Sequence, residues 1–158
     1  MQDTLPIHFA PLQGYTEAIY RNAHDAFFGG VDTYYTPFVR LEKGNFRRRD
    51  VRGIEPENNG VTHLIPQLIA SSAEKAEVIL SLFIEKGYQE VDINLGCPFP
   101  LLAKRHNGSG ILPYPEEVKA LLSIVTRYPQ ISFSVKMRLG WEQPDECLAL
   151  APILNDLP

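Results

Sequence analysis

Residues 62–97 read THLIPQLIASSAEKAEVILSLFIEKGYQEVDINLGC, and this stretch decides the fold. Thr62 to Ile69 is rich in apolar and β-forming residues and predicts a strand. Ser71 and Glu74 have the spacing of a capping box, and Ala76, Ile79, Leu80 and Phe83 recur at helical intervals up to Gly87, a C-terminal stop. Glu90 to Asn94 returns to a strand pattern. A strand, a helix and a strand in this order predict parallel pairing through a right-handed crossover.

The same alternation continues on both sides. Upstream, Leu5–Ala10 reads as a strand. Thr16 is placed to cap a helix whose Ile19, Ala23, Ala26 and Phe27 share one face, ending at Gly29–Gly30. Thr33–Thr36 is a second strand, and the polar stretch from Leu41 to Gly60 reads as a long loop or short helical excursion. Downstream, Pro115 suits a first helical position, and Val118, Leu121, Leu122 and Val125 keep i, i+3, i+4, i+7 spacing. Ile131–Lys136 is a fifth strand, and a last helix begins near Pro144, with Pro152 expected to bend or stop it. No hairpin signal is present between strands.

An α/β class follows, either a doubly wound sheet or a (β/α)8 barrel. The turn after the first strand, Pro11-Leu-Gln-Gly-Tyr15, lacks the glycine pattern of a dinucleotide site, which disfavours the first. A TIM-type barrel needs eight units and ~250 residues. These 158 residues supply about five, so the expectation is a half-barrel.

Composition removes other classes. With 44% hydrophobic and 22% charged residues the chain is not disordered. Its longest nearly apolar run, Val78–Ile84, falls far short of the ~20 residues of a membrane span. Met1-Gln-Asp-Thr4 opens no secretory signal, so no membrane role and a cytoplasmic location are expected. Cys97 and Cys147 form neither a disulfide framework nor a zinc ligand pair, and His8, His24, His63 and His106 have no metal-ligand spacing. Net charge is −4, yet the window Arg40–Arg52 carries +4. Such a window is a solvated loop or a phosphate-binding patch, for which Arg47, Arg48 and Arg49 are the candidates.

In both architectures chemistry sits at the C-terminal ends of the strands. There the sequence places Pro11 and Leu12, Gln67, Asn94, Cys97, Lys136 and Arg138. Cys97 lies in a Gly-Cys-Pro turn just past a strand. A thiol with an ordinary pKa of ~8.5 is mostly protonated at neutral pH and can give up a proton. The bland alternative is a small core residue. Lys136 ends an apolar strand, where an ammonium group needs an anionic neighbour or a route to water. Gln67 is an amide among apolar residues. Cys147 reads as structural.

These residues, in this order, resemble the tRNA-dihydrouridine synthase family of flavoenzymes. The resemblance rests on Ala10-Pro-Leu-Gln-Gly-Tyr-Thr16, Pro66-Gln-Leu68, Val91-Asp-Ile-Asn-Leu-Gly-Cys-Pro98, Gly108-Ser-Gly-Ile-Leu112 with Pro115, and Val135-Lys-Met-Arg-Leu-Gly-Trp141. It implies an FMN-binding barrel followed by a small helical domain that helps bind tRNA. It further implies reduction of particular tRNA uridines to 5,6-dihydrouridine, with NADPH as electron donor. By that resemblance Cys97 is the proton donor to uracil C5, Lys136 and Gln67 face the flavin pyrimidine edge, and the Pro11-Leu12 backbone packs on the ring. Asn94 and Arg138 are then uridine neighbours, and Arg47–Arg49 phosphate contacts. Leu12 stands where many relatives have Met, a volume-conserving exchange.

On this reading residues 1–158 are the N-terminal part of the barrel. The rest of the barrel and the helical domain are absent, and activity alone is weak or nil. Exposed edges near Leu5–Ala10 and Ile131–Lys136 favour self-association. Two rival readings are another FMN barrel enzyme of the dihydroorotate dehydrogenase kind and a non-catalytic RNA-binding module.

Overall fold

The computed structural model describes residues 5–158. Five parallel strand positions alternate with helices along the chain. The elements are β1 (His8–Phe9), α1 (Ala18–Phe27), β2 (Thr33–Tyr35), β3 (Leu41–Glu42), β4 (Asn45–Phe46), α2 (Arg48–Ile54), β5 (Leu64–Ile65) and β6 (Gln67–Leu68). They continue with α3 (Ala73–Glu85), β7 (Glu90–Leu95), α4 (Pro100–Ala103), α5 (Pro115–Arg127), β8 (Ser132–Met137) and α6 (Glu146–Asn155). Short 3-10 turns cover Pro56–Asn58 and Gly108–Ile111.

The strands form two parallel sheets, β1-β2-β5 and β6-β7-β8. The third expected strand supplies both β5 and β6, broken at Pro66, which has no N–H for a ladder. Val39 bridges to Leu68, and the Pro66 carbonyl accepts from Asp92 N at 3.0 Å, so the two sheets run on through this strand. Among the described residues the sheet stays open. No closed barrel forms, and β1 and β8 are its edges.

The core lies between β7 and the helices. Val91, Ile93 and Leu95 point to one face and meet Ile79, Leu80 and Phe83 of α3 and Val118, Leu121, Leu122 and Ile124 of α5. Each such side chain contributes ~1.5–3 kcal/mol by leaving water. Leu150 of α6 closes this layer.

Several local expectations change. Thr16 does not cap α1, because its Oγ1 accepts from Leu12 N at 2.8 Å and donates back to Leu12 O. The cap position is Glu17, which makes no side-chain cap. The shared apolar face of α1 is not its buried one: Ile19 and Phe27 are exposed, whereas Ala18 and Arg21 are buried. The cap of α3 is Ser72, which accepts from Lys75 N, one residue later than the Ser71 pattern suggests. The Leu41–Gly60 stretch contains an antiparallel ribbon, β3-β4, turning at Lys43-Gly44, where no hairpin was expected. Pro152 does not stop α6, which runs to Asn155. The carbonyl it strands belongs to Leu148, which is exposed to solvent.

Candidate active site

Strand register carries polar side chains to the sheet face away from the helices. Gln67 is level with Asp92, Asp92 with Ser134, and Asn94 with Lys136. Side chains at matched positions of parallel strands point the same way. These five therefore form one layer on the face opposite Val91, Ile93 and Leu95.

The layer is joined by hydrogen bonds. Gln67 Nε2 donates to Asp92 Oδ2 at 2.5 Å, Asn94 Nδ2 donates to Gln67 Oε1 at 2.8 Å, and Ser134 Oγ donates to Asp92 Oδ1 at 2.7 Å. Gln67, Asp92 and Asn94 are all buried. Burial raises the Asp92 pKa above its ordinary value, against the opposing effects of the Gln67 and Ser134 hydrogen bonds and the nearby Lys136 charge. A hollow of about 250 Å³ opens over this layer, lined by His8, Ala10, Pro11, Tyr35, Asp92 and Lys136 among others. Its walls thus come from both edge strands and their loops.

Cys97 sits two residues past the end of β7, in a turn fixed from three sides. Asn94 Oδ1 accepts from Gly96 N at 3.1 Å and from Cys97 N at 2.9 Å. Arg138 Nε donates to Gly96 O at 2.8 Å. Ser109 gives both its N–H and its hydroxyl to Cys97 O, each at 3.0 Å. Gly108 and Gly110 make this packing possible. A Cβ on Gly108, whose φ is +61°, would lie 2.5 Å from Cys97 O, and one on Gly110 would run into the Ala103 backbone. The Cys97 side chain is half-buried against Phe38, Ile69 and Leu102.

The structure therefore gathers Pro11, Gln67, Asn94, Cys97, Lys136 and Arg138 at one end of the sheet. Exposed Leu12 lies in the turn after β1. Two participants escaped the sequence reading. Asp92 and Ser134 complete the polar layer, and a charged residue inside Val91-Asp-Ile-Asn94 was the available signal. Gln13, directly after Pro11-Leu12, has its amide Nε2 and Oε1 buried with no hydrogen-bond partner.

The arginine run is divided. Arg47 grips buried Asp50 with Nε and Nη2, both at 2.8 Å, and so anchors α2. Arg48 and Arg49 are exposed on that helix, with Arg49 Nε 3.6 Å from Asp50. Cys147 keeps a local role, its Sγ donating to Pro144 O at 3.2 Å. Among the described residues no group of three or more His, Cys, Asp or Glu side chains is placed to hold a metal ion, and no helix is long and apolar enough to cross a membrane.

Comparison with known proteins matches residues 8–157 to the family model described as dihydrouridine synthase (Dus). The chain belongs to the dihydrouridine synthase family. A tRNA-dihydrouridine synthase B of Vibrio cholerae is 33% identical over 58% of this chain and 26% of its own length. A probable tRNA-dihydrouridine synthase 1 of Synechocystis is 29% identical over 84% of this chain and 37% of its own. A tRNA-dihydrouridine(16) synthase of Haemophilus ducreyi is 28% identical over 94% of this chain and 48% of its own. The chain thus spans less than half the length of these relatives. The matched residues cover all five segments that carry the resemblance, including the Cys97 turn and the strand that carries Lys136.

Proposed function

We propose that this chain carries the Cys97 side of an active site that reduces uridines in tRNA to 5,6-dihydrouridine, with FMN as cofactor and NADPH as electron donor. One observation carries the reading. A cysteine turn pinned by Asn94, Ser109 and Arg138 is tied, through the Asn94–Gln67–Asp92 hydrogen bonds, to a hollow lined by Pro11, Asp92, Ser134 and Lys136.

The donor set fits the polar edge of a flavin ring, which alternates carbonyl oxygens and N–H groups. Gln67 Nε2 has a second hydrogen, Lys136 offers an ammonium group, and the Gln13 amide has both atoms unpartnered. Among the described residues Lys136 has no carboxylate within ion-pair distance, which leaves its charge to stabilise an anionic ring. Pro11 and Leu12 supply an apolar surface for the ring face.

FMN held by these residues would, once reduced, be the source of the hydride that adds to uracil C6. Cys97 completes the addition: its S–H bond breaks, the proton goes to C5, and the C5=C6 double bond becomes single. The thiolate left behind recovers a proton from solvent. The thiol needs a fixed position for this step, and the hydrogen bonds to Gly96 N, Cys97 N and Cys97 O provide it. A uridine inside folded RNA must be unstacked to reach this hollow. Family membership supports this reading over the dihydroorotate dehydrogenase kind, and the Cys97 geometry favours it over a non-catalytic RNA-binding role.

The test is conversion of unmodified tRNA with FMN and NADPH, read as dihydrouridine by nucleoside mass spectrometry. Cys97→Ala is expected to keep tRNA affinity and lower conversion ~10²–10⁴-fold, the usual contribution of a positioned general acid. Undiminished conversion by that variant would sink the role given to the thiol.

A further inference from the structure

A second concavity, about 510 Å³, lies on the same end of the sheet between β3, α3 and the segment after α4. Four cations line it: Arg40, Lys43, Lys75 and Arg105. They come from three separate stretches of chain, so the cluster is invisible in sequence. It also divides the basic window, since Arg47 is occupied by Asp50 whereas Arg40 and Lys43 reach this groove.

The cations are poorly neutralised. Glu42 is the lone carboxylate in the lining and lies 3.5 Å from Arg40 Nη2. Among the described residues Lys43, Lys75 and Arg105 have no carboxylate within ion-pair distance, and Lys75 Nζ donates only to Ser71 Oγ at 2.8 Å. Arg40 Nε is buried without a partner. The lining is therefore +3 on a chain of net charge −4. An excess of one sign in a concave surface concentrates counter-charge there.

The groove is also adjacent to the chemistry. Ile69 and Leu102 line it and at the same time pack with Phe38 against the Cys97 side chain. One layer of side chains separates the two sites.

We propose that this groove holds the sugar–phosphate backbone of RNA next to the uridine that reaches Cys97. The proposal rests on the function argued above and adds its RNA-holding surface. Four cations supplied by three segments of chain around one concavity, with a single carboxylate among them, suit the successive phosphates of a polyanion.

The experiment is fluorescence anisotropy of labelled unmodified tRNA with the full chain over a salt series, without NADPH. Removing two phosphate contacts with Lys43→Ser/Arg105→Ser should flatten the slope of log K against log salt by ~1.4–1.8. Lys119→Ser/Arg127→Ser removes the same charge from the α5 surface and should leave the slope near that of the parent. Lys75→Ser provides a third, single-contact point of ~0.7–0.9. A parental slope in the groove variants overturns the proposal, as does an equal loss in the α5 control. A raised KM for NADPH with an unchanged tRNA slope also overturns it, by assigning the groove to a nucleotide phosphate. The slope is read without turnover, so it stands apart from the reductase reading. Loss of conversion in Cys97→Ala with a parental salt slope supports that reading alone.

Discussion

Asn94→Ala tests the link between the polar layer and the cysteine turn. The amide is buried and makes three hydrogen bonds, of 2.8 Å to Gln67 Oε1, 3.1 Å from Gly96 N and 2.9 Å from Cys97 N. Truncation leaves Gln67 Oε1 without a partner in a side chain only 1% exposed, a cost of ~1–2 kcal/mol. The two backbone N–H groups sit at half-exposed residues that water can reach, and add ~0.5–1 kcal/mol each. The total is ~3 kcal/mol, or a Tm lower by ~6–12 °C in a domain of this size. Thermal unfolding followed by circular dichroism measures it. In a Cys147→Ser background, iodoacetamide should also alkylate Cys97 faster once its turn is released. Asn94→Asp separates the two roles. It keeps an oxygen for both N–H groups, so alkylation should stay at the parental rate. It also brackets the Gln67 amide between two carboxylates, so its stability deficit should shrink as pH falls and they protonate. A change within ~0.5 kcal/mol in Asn94→Ala, with unaltered alkylation, would refute the reasoning.

Two further outcomes follow from burial and exposure. Asp92 has a folded-state pKa raised by desolvation, so the folded chain holds that proton more tightly than the unfolded one. Stability on this account is greatest below the ordinary carboxylate pKa, falls as pH rises toward the folded value, and is level above it. Asp92→Asn can keep partners for Gln67 and Ser134, so it should gain on the order of 1 kcal/mol at neutral pH and nothing in acid. Urea unfolding at several pH values checks this, and a pH-independent difference would count against it. The second outcome concerns self-association. Ile19, Phe27 and Phe28 are 76%, 85% and 81% exposed beside edge strand β1. Sedimentation velocity should show concentration-dependent association that Ile19→Lys/Phe28→Lys reduces. A parental chain that stays monomeric at every concentration would exclude it.

The legibility of the chain divides along the range of the forces involved. The alternation of strands and helices was readable because period and punctuation are local: Val118, Leu121, Leu122 and Val125 on one face, Pro115 at the start, Gly87 after α3. The motif residues Gln67, Asn94, Cys97 and Lys136 were readable in kind and in order. Errors arose where a short side chain had a choice of partners, as at Thr16, which bonds Leu12 rather than capping α1, and at Ser71, one residue before the actual cap. The apolar face of α1 lies exposed for a different reason. Hydrophobic periodicity names an apolar stripe but not the element that covers it, and in this open sheet Ile19 and Phe27 face outward around a buried Arg21.

The sequence by itself determined the α/β class, the parallel order of the strands and the residue types available for chemistry. Tertiary structure alone decided which of them meet. Strand register set Gln67 against Asp92 and Asp92 against Ser134, and chain packing brought Lys75 and Arg105 to Arg40 and Lys43. Those contacts join residues 25 to 65 positions apart. No local pattern encodes such pairings, because they follow from how the strands align and how the helices bury their apolar faces.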